Sequence, residues 1–394
     1  MRYALTGLTA HADEGATVED CAIVIKEGRI EALGSRLSTD GIERVYALEG
    51  CHATPGIIDA HCHVGVFNEG VGEVGNDGND YSDPLTPEIR ALDGIYPDDE
   101  AFGDARKAGM TTLGIAPGSA NVIGGQVAAL KTGGNITEEM VISDYVGLKC
   151  AFGENPKRVY GPKGKMPTTR MGVAAKLRMA LMEARLYGEK KAHHLTTPLK
   201  ENETRAPFKV DYRKEVLLRV LRREVPLRAH AHRMDDIQSA VRVAEEFGLD
   251  LVVEHCTEGH LIADYLARKE IPVIIGPLDG TKPKVELRNA TMDGARELER
   301  AGVRFAIMTD APVKRIGALV DDVRNCVRHG VSPEVALAAV TTVPASIMGL
   351  SGRIGSLKPG MDADMAIFDG DPFDFMSGVR ITLVDGRPVH GELE

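Results

Sequence analysis

The sequence predicts an α/β protein, a (β/α)8 TIM barrel with a small β-sandwich domain formed by both termini. Three observations predict it. Eight apolar strand-like runs lie between residues 55 and 354, at 56–63, 111–116, 127–131, 145–152, 225–232, 250–256, 271–276 and 304–310. Amphipathic helical patterns separate several of them. Short β-rich stretches at both ends flank this middle. Eight strands alternating with helices close into a barrel without leftovers, which a doubly wound sheet does not require.

The end segments come first. Ala22-Ile23-Val24-Ile25 and Arg29-Ile30-Glu31-Ala32-Leu33 flank Lys26-Glu27-Gly28, a hairpin signal. Asp364-Met365-Ala366-Ile367-Phe368 and Ile381-Thr382-Leu383-Val384, followed by Asp385-Gly386, match it at the far end. The expected division is residues 1–54 plus 355–394 for the small domain and 55–354 for the barrel. Helices are predicted at 235–247, 258–269 and 316–328 from their apolar spacing. Another starts at Ser332-Pro333-Glu334, with serine as the cap and proline at the first position.

Two insertions interrupt the alternation. Residues 64–100 follow the first strand and are rich in glycine and aspartate. Residues 153–224 follow the fourth, begin basic, and then read as helices. Loops after barrel strands build the face on which barrel chemistry happens. A charge in them is by default simply solvated.

Composition narrows the partners. With 58 acidic and 47 basic residues the net charge is −11, which argues against nucleic acid or an anionic membrane. No run has the roughly 18 apolar residues that a membrane span needs. Met1-Arg2-Tyr3-Ala4-Leu5 does not read as a secretion signal. The six cysteines are scattered, as expected of reduced thiols in a cytoplasmic protein. A small-molecule substrate and an oligomer of identical chains are the expected partners.

The chemistry lies where strands end. Pro55-Gly56-Ile57-Ile58-Asp59-Ala60-His61-Cys62-His63 closes the first run with two histidines one residue apart, and side chains at i and i+2 share a side of a strand. The fifth run ends Arg228-Ala229-His230-Ala231-His232, the sixth Val252-Val253-Glu254-His255, and the eighth Ala306-Ile307-Met308-Thr309-Asp310. A lone His-x-His is more often a surface pair than a ligand. Four strand ends carrying imidazole or carboxylate, all converging on one barrel mouth, are instead a metal signature. His193-His194, by contrast, lies in a basic helix-end region and is not expected to be a ligand. Cys62 and Cys256 are expected as packed thiols.

The fourth run holds Lys149 inside apolar Val146-Gly147-Leu148-Lys149-Cys150-Ala151-Phe152. A buried lysine is costly alone, so it needs either a carbamate with metals or a carboxylate neighbour. Asn121 and Gln126 lie in glycine-rich turns after the second run, and Arg158 in the basic start of the second insertion. All three are candidates for touching substrate.

The chain resembles the metal-dependent amidohydrolase superfamily over essentially its whole length. The histidine motif at 55–63, the histidines closing the fifth and sixth strands, and Thr309-Asp310 carry the resemblance. So does the tail: Thr342-Val343-Pro344-Ala345, Gly352-Arg353-Ile354-Gly355-Ser356-Leu357 and Pro359-Gly360-Met361-Asp362-Ala363-Asp364. The resemblance is to the imidazolonepropionase-like and dipeptidase-like branch. It implies one or two divalent cations, expected to be zinc. His61, His63, His230 and His255 would be ligands, and Lys149 (carboxylated) or Glu154 would be the fourth-strand ligand. Asp310 would both touch metal and move protons. His232 would sit behind the metal or against substrate and share in catalysis. The implied reaction is hydrolysis of a C–N bond in an amide, N-acyl amino acid, dipeptide or cyclic amide. A single-metal ring deaminase is a second reading, weakened by Arg233 where such enzymes carry glutamate. A non-catalytic scaffold of the same fold ranks last, because the ligand residues are present.

Overall fold

The computed structural model describes residues 1–12, 15–35, 37–199 and 204–394. Two sheets organise them. One contains strands from both termini, in the order Arg387–His390, Val379–Val384, Met365–Phe368, His52–Pro55, Arg2–His11, Thr17–Lys26, Arg29–Gly34, with Val45–Ala47 alongside Arg2–His11. The expected hairpins form: Thr17–Lys26 pairs antiparallel with Arg29–Gly34, and Met365–Phe368 with Val379–Val384. Leu5, Leu8, Ile23, Ile25, Ile367, Ile381 and Leu383 fill a core of their own.

The second sheet is the barrel. Its eight strands follow chain order: Ile57–Cys62, Met110–Ile115, Ile123–Lys131, Val141–Ala151, Leu227–Ala231, Leu251–His255, Val273–Ile275 and Phe305–Ile307. The ends close through two backbone bonds beyond the ladder: His63 N donates to Ala311 O at 2.8 Å and Asp310 N to His61 O at 3.3 Å. Ile58, Ala60, Val127, Val252, Ile274, Ala306 and Met308 fill the interior.

One expectation is corrected. The third strand runs antiparallel to both neighbours, so the barrel does not consist of eight βα units. The reason is length. Only residues 116–122 join the second strand to the third, and a parallel crossover needs a dozen or more. The chain must turn straight back, which starts the third strand at the mouth and ends it at the opposite rim.

That reversal explains the tail motif. Lys131 ends the reversed strand facing the terminal sheet. Its ammonium is buried and bonds Asp362 at 3.0 Å, Asp364 at 2.6 Å and Asp385 at 3.0 Å. Arg353 adds a bond to Asp362 at 2.9 Å. The two aspartates of Asp362-Ala363-Asp364 and the Asp385-Gly386 turn therefore surround one lysine that pins sheet to barrel. Gly56 belongs to the same junction, since a Cβ there would lie 2.1 Å from Thr111 Oγ1.

Most predicted helices form with small changes. Met234–Phe247 carries Asp235 and Asp236 in its first turn and stops at Gly248, whose φ is 67°. The patterns at 258–269 and 316–328 open with a 3-10 turn before the α-helices Ala263–Arg268 and Leu319–Arg328. Ser332 precedes Pro333–Ala338 but makes no side-chain cap; its hydroxyl donates to Glu299 Oε1 at 2.6 Å instead. The 153–224 insertion is helical, with Glu154–Tyr160, Arg170–Thr196 and Tyr212–Leu221. Among the described residues no helix is long and apolar enough to cross a membrane.

Candidate metal centre

The strand ends meet at one mouth. His61 Nε2 and His63 Nε2 each lie 3.1 Å from the same oxygen, Oδ1 of Asp310. The rings of His61 and His255 are 5.5 Å apart. His230, His232 and His255 form a second, tighter cluster with ring centroids 4.3–4.6 Å apart. Ligand atoms of His61, His255 and Asp310 lie within 4.8 Å of one another, as do those of His230, His232 and His255. His255 belongs to both groups.

Local irregularity aims these side chains. The first strand holds one extra residue between Asp59 and Cys62 relative to the second strand. The bulge lets His61 reach the interior beside Ala60, where strict alternation would turn it out. On the sixth strand, adjacent Glu254 and His255 both reach inward because His255 takes a left-handed φ of 66°. Asp310 does the same at 55°. Left-handed backbone at non-glycine residues costs about 1–3 kcal/mol each and persists where the surroundings enforce it. Asp59 is part of that enforcement. It is fully buried and accepts from Thr309 Oγ1 at 2.6 Å, Thr309 N at 3.0 Å and His61 N at 3.0 Å, tying the first strand to the eighth. Burial pushes its carboxyl up to about 6.

The hydrogen bonds leave lone pairs pointing at the mouth. His63 Nδ1 faces Ala116 O at 2.7 Å and His255 Nδ1 faces Gly276 O at 3.0 Å. A carbonyl only accepts, so each Nδ1 carries a hydrogen, and in His255, held neutral by burial, Nε2 is left bare. His232 Nδ1 lies 2.8 Å from Thr257 Oγ1, and its buried Nε2 has no partner. The buried Nδ1 of His230 has none either. Burial, reinforced by the neighbouring imidazoles, holds His230 and His255 well below the usual histidine range. Burial and then Lys284 lower His232 to about 3. Neutral imidazoles with unused buried lone pairs fit a divalent cation.

Asp310 supplies the negative charge. Burial alone would raise its carboxyl, but the imidazoles packed around it, His255 first and then His61 and His63, hold it well below the usual range.

Beneath the histidines lies a charged network that sequence reasoning did not assign. Glu254 is fully buried. It accepts from Arg228 Nε at 2.7 Å, bonds the Lys149 ammonium, and lies 3.0 Å from His61 Nδ1, off the alignment of a hydrogen bond. Lys149 Nζ is 3.5 Å from His61 Nε2. Lys149 thus has a carboxylate neighbour. Charged residues inside apolar strands, Arg228 and Glu254, were the available signal.

The remaining candidates fall around the rim. Glu154 is half-buried at the start of Glu154–Tyr160, its N–H donating to Glu286 Oε1 at 2.7 Å. It joins neither converging group among the described residues. Asn121 Nδ2 donates to Asp80 O at 2.7 Å and Asp83 O at 2.8 Å, and Gln126 Nε2 to Pro87 O at 3.2 Å. Both amides hold the 64–100 loop against the mouth. Arg158 is exposed. Arg233 turns to Asp235 at 2.9 Å. His193 and His194 lie on the outer helix, away from the cluster, and all six cysteines are free and buried. Lys284 went unpredicted. It is half-buried, forms no ion pair among the described residues, and its charge acts on His230 and His232. Burial lowers its own pKa despite Asp310, Glu286 and Glu154 nearby.

Comparisons with known proteins agree with this geometry. The amidohydrolase family model matches residues 52–389. A crystal structure of an amidohydrolase from Thermotoga maritima MSB8 superposes with a TM-score of 0.93 and 40% identity, covering 99% of this chain and all of that one. Imidazolonepropionase of Pseudomonas putida is 24% identical over 374 residues, 89% of this chain and 87% of that protein. Amidohydrolase tasK of Hapsidospora irregularis is 28% identical over 394 residues, 92% of this chain. The chain spans only 39% of the length of that relative. The chain belongs to the amidohydrolase family, the metal-dependent hydrolases that act on carbon–nitrogen bonds.

Proposed function

We propose that this chain hydrolyses the C–N bond of a small amide, an N-acyl amino acid, dipeptide or cyclic amide, with one divalent cation held by His61, His63, His230, His255 and Asp310. The observation that carries the reading is the convergence of buried imidazoles on one carboxylate. Zinc suits this nitrogen-rich donor set, and when bound it would acidify water and polarise the substrate carbonyl.

The chain's own groups supply the rest. Asp310 takes the proton of the attacking water and passes it to the leaving nitrogen, acting as base and then acid. His232 stays neutral: with Nδ1 accepting from the Thr257 hydroxyl its hydrogen sits on the partnerless Nε2, which donates toward the oxygen on which negative charge develops. Glu254, itself held by Arg228, places a carboxylate 3.0 Å from His61 Nδ1. Lys149 stays an amine: a carbamate there would put a second anion against Glu254 in a fully buried site. Lys284, with Arg158 on the same rim, favours a substrate carrying a carboxylate.

The test is a screen of N-acyl amino acids, dipeptides and cyclic amides with zinc-loaded protein, beside the Asp310→Asn variant. The reading expects turnover of at least one class and its loss in the variant with metal still bound. Near-normal rates in Asp310→Asn would overturn the assignment.

A further inference from the structure

The long outer helix Arg170–Thr196 has two apolar faces. Val173, Leu177, Ala180, Leu181, Ala184 and Tyr187 are buried against the helices Tyr212–Leu221 and Met234–Phe247. The opposite face should be polar on a surface helix. Instead Met171, Met179, Met182 and Leu186 stand out from it, exposed by 79%, 58%, 46% and 48%.

Their spacing is specific. Ala175, Met179, Met182 and Leu186 step by four, three and four, the core spacing of paired helices. The stripe from Met171 to Leu186 is about 22 Å long at 1.5 Å per residue. Beside it run Lys176, Glu183 and Lys190, one residue after the core positions. Lys176 and Glu183 form no ion pair among the described residues, so both charges are available. The other flank is already engaged within its own chain. Arg178 bonds Glu246 at 2.5 and 2.7 Å, and Arg185 stacks on the Phe247 ring at 4.7 Å.

We propose that this stripe docks on the same stripe of a second copy of the chain, the two helices running antiparallel about a two-fold axis. Met179 then meets Met182 of the second copy, and Ala175 meets Leu186. Lys176 comes opposite Glu183 on the second copy, and the symmetry makes that ion pair twice. Methionine, abundant in the stripe, is enriched in protein interfaces.

The test is sedimentation velocity on the full chain, with circular dichroism melting to check that each variant folds. The wild type is expected to be a dimer at micromolar concentration, and Met182→Asp a folded monomer. Lys176→Glu and Glu183→Lys should each weaken the dimer by about tenfold, and the double reversal should restore it. A monomeric wild type would overturn the proposal. So would a dimer that Met182→Asp leaves intact, or single charge reversals that change nothing.

Discussion

Lys149 and Glu254 offer a prediction whose two halves differ in size. Glu254 neutralises two buried cations, Arg228 at 2.7 Å and the Lys149 ammonium, each no more than 1% exposed. Glu254→Gln keeps the shape and removes the charge. Two unpaired cations then remain inside the barrel, and breaking a buried pair in this way costs about 3–5 kcal/mol. Lys149→Met removes one cation, leaves Glu254 with Arg228, and fills the space with an apolar chain of similar length. Because Glu254 and Arg228 still compensate each other, no buried charge is left unpaired and the change is expected to be close to neutral. The chain has no tryptophan, so urea denaturation followed by far-UV circular dichroism is the suitable assay. The expected result is a large fall in midpoint for Glu254→Gln and almost none for Lys149→Met, which also keeps one cation per chain. Equal destabilisation would refute the network. A wild type with two cations, reduced in Lys149→Met, would show Lys149 to be a bridging carbamate.

Further outcomes follow from other residues. Asp310→Asn should lower kcat by about 10²–10⁴-fold while metal content and melting temperature hold, measured by steady-state kinetics and atomic spectroscopy. Lys284→Ala should raise KM for carboxylate-bearing amides and leave neutral amides unchanged; an equal effect on both would remove Lys284 from substrate recognition. Burial pushes the Asp364 carboxyl up to about 6 from 3.8. A carboxyl raised in the folded state favours folding when protonated, so this contribution is full below about pH 4 and is lost as pH rises through about 6. The loss is at most about 3 kcal/mol. Denaturation midpoints of wild type and Asp364→Asn should therefore diverge across that window, with the wild type losing more, and parallel curves would contradict the assignment.

The mouth of the barrel was legible because ligands sit at strand ends and strand ends can be read from apolar runs. His61, His63, His230, His232, His255 and Asp310 all came from that rule. The direction of the third strand was hidden by treating every apolar run as a βα unit, although the short 116–122 link already forbade a crossover. Alternation alone could not place His61 or His255, because a bulge and a left-handed φ re-aim them. The partner of Lys149 lay more than 100 residues away on another strand. The tail aspartates had no local explanation, since the Lys131 they enclose is brought to them only by folding. Lys284 sits in a loop with no periodic pattern, so no sequence signal marked it.

The central claim is that the converging histidines and Asp310 hold a cation. Isothermal titration of zinc into chelator-stripped protein tests it most directly. One tightly bound cation per chain is predicted, with binding abolished in a folded His61→Ala/His255→Ala variant. Absence of stoichiometric binding by the wild type, or undiminished binding by that variant, would contradict it.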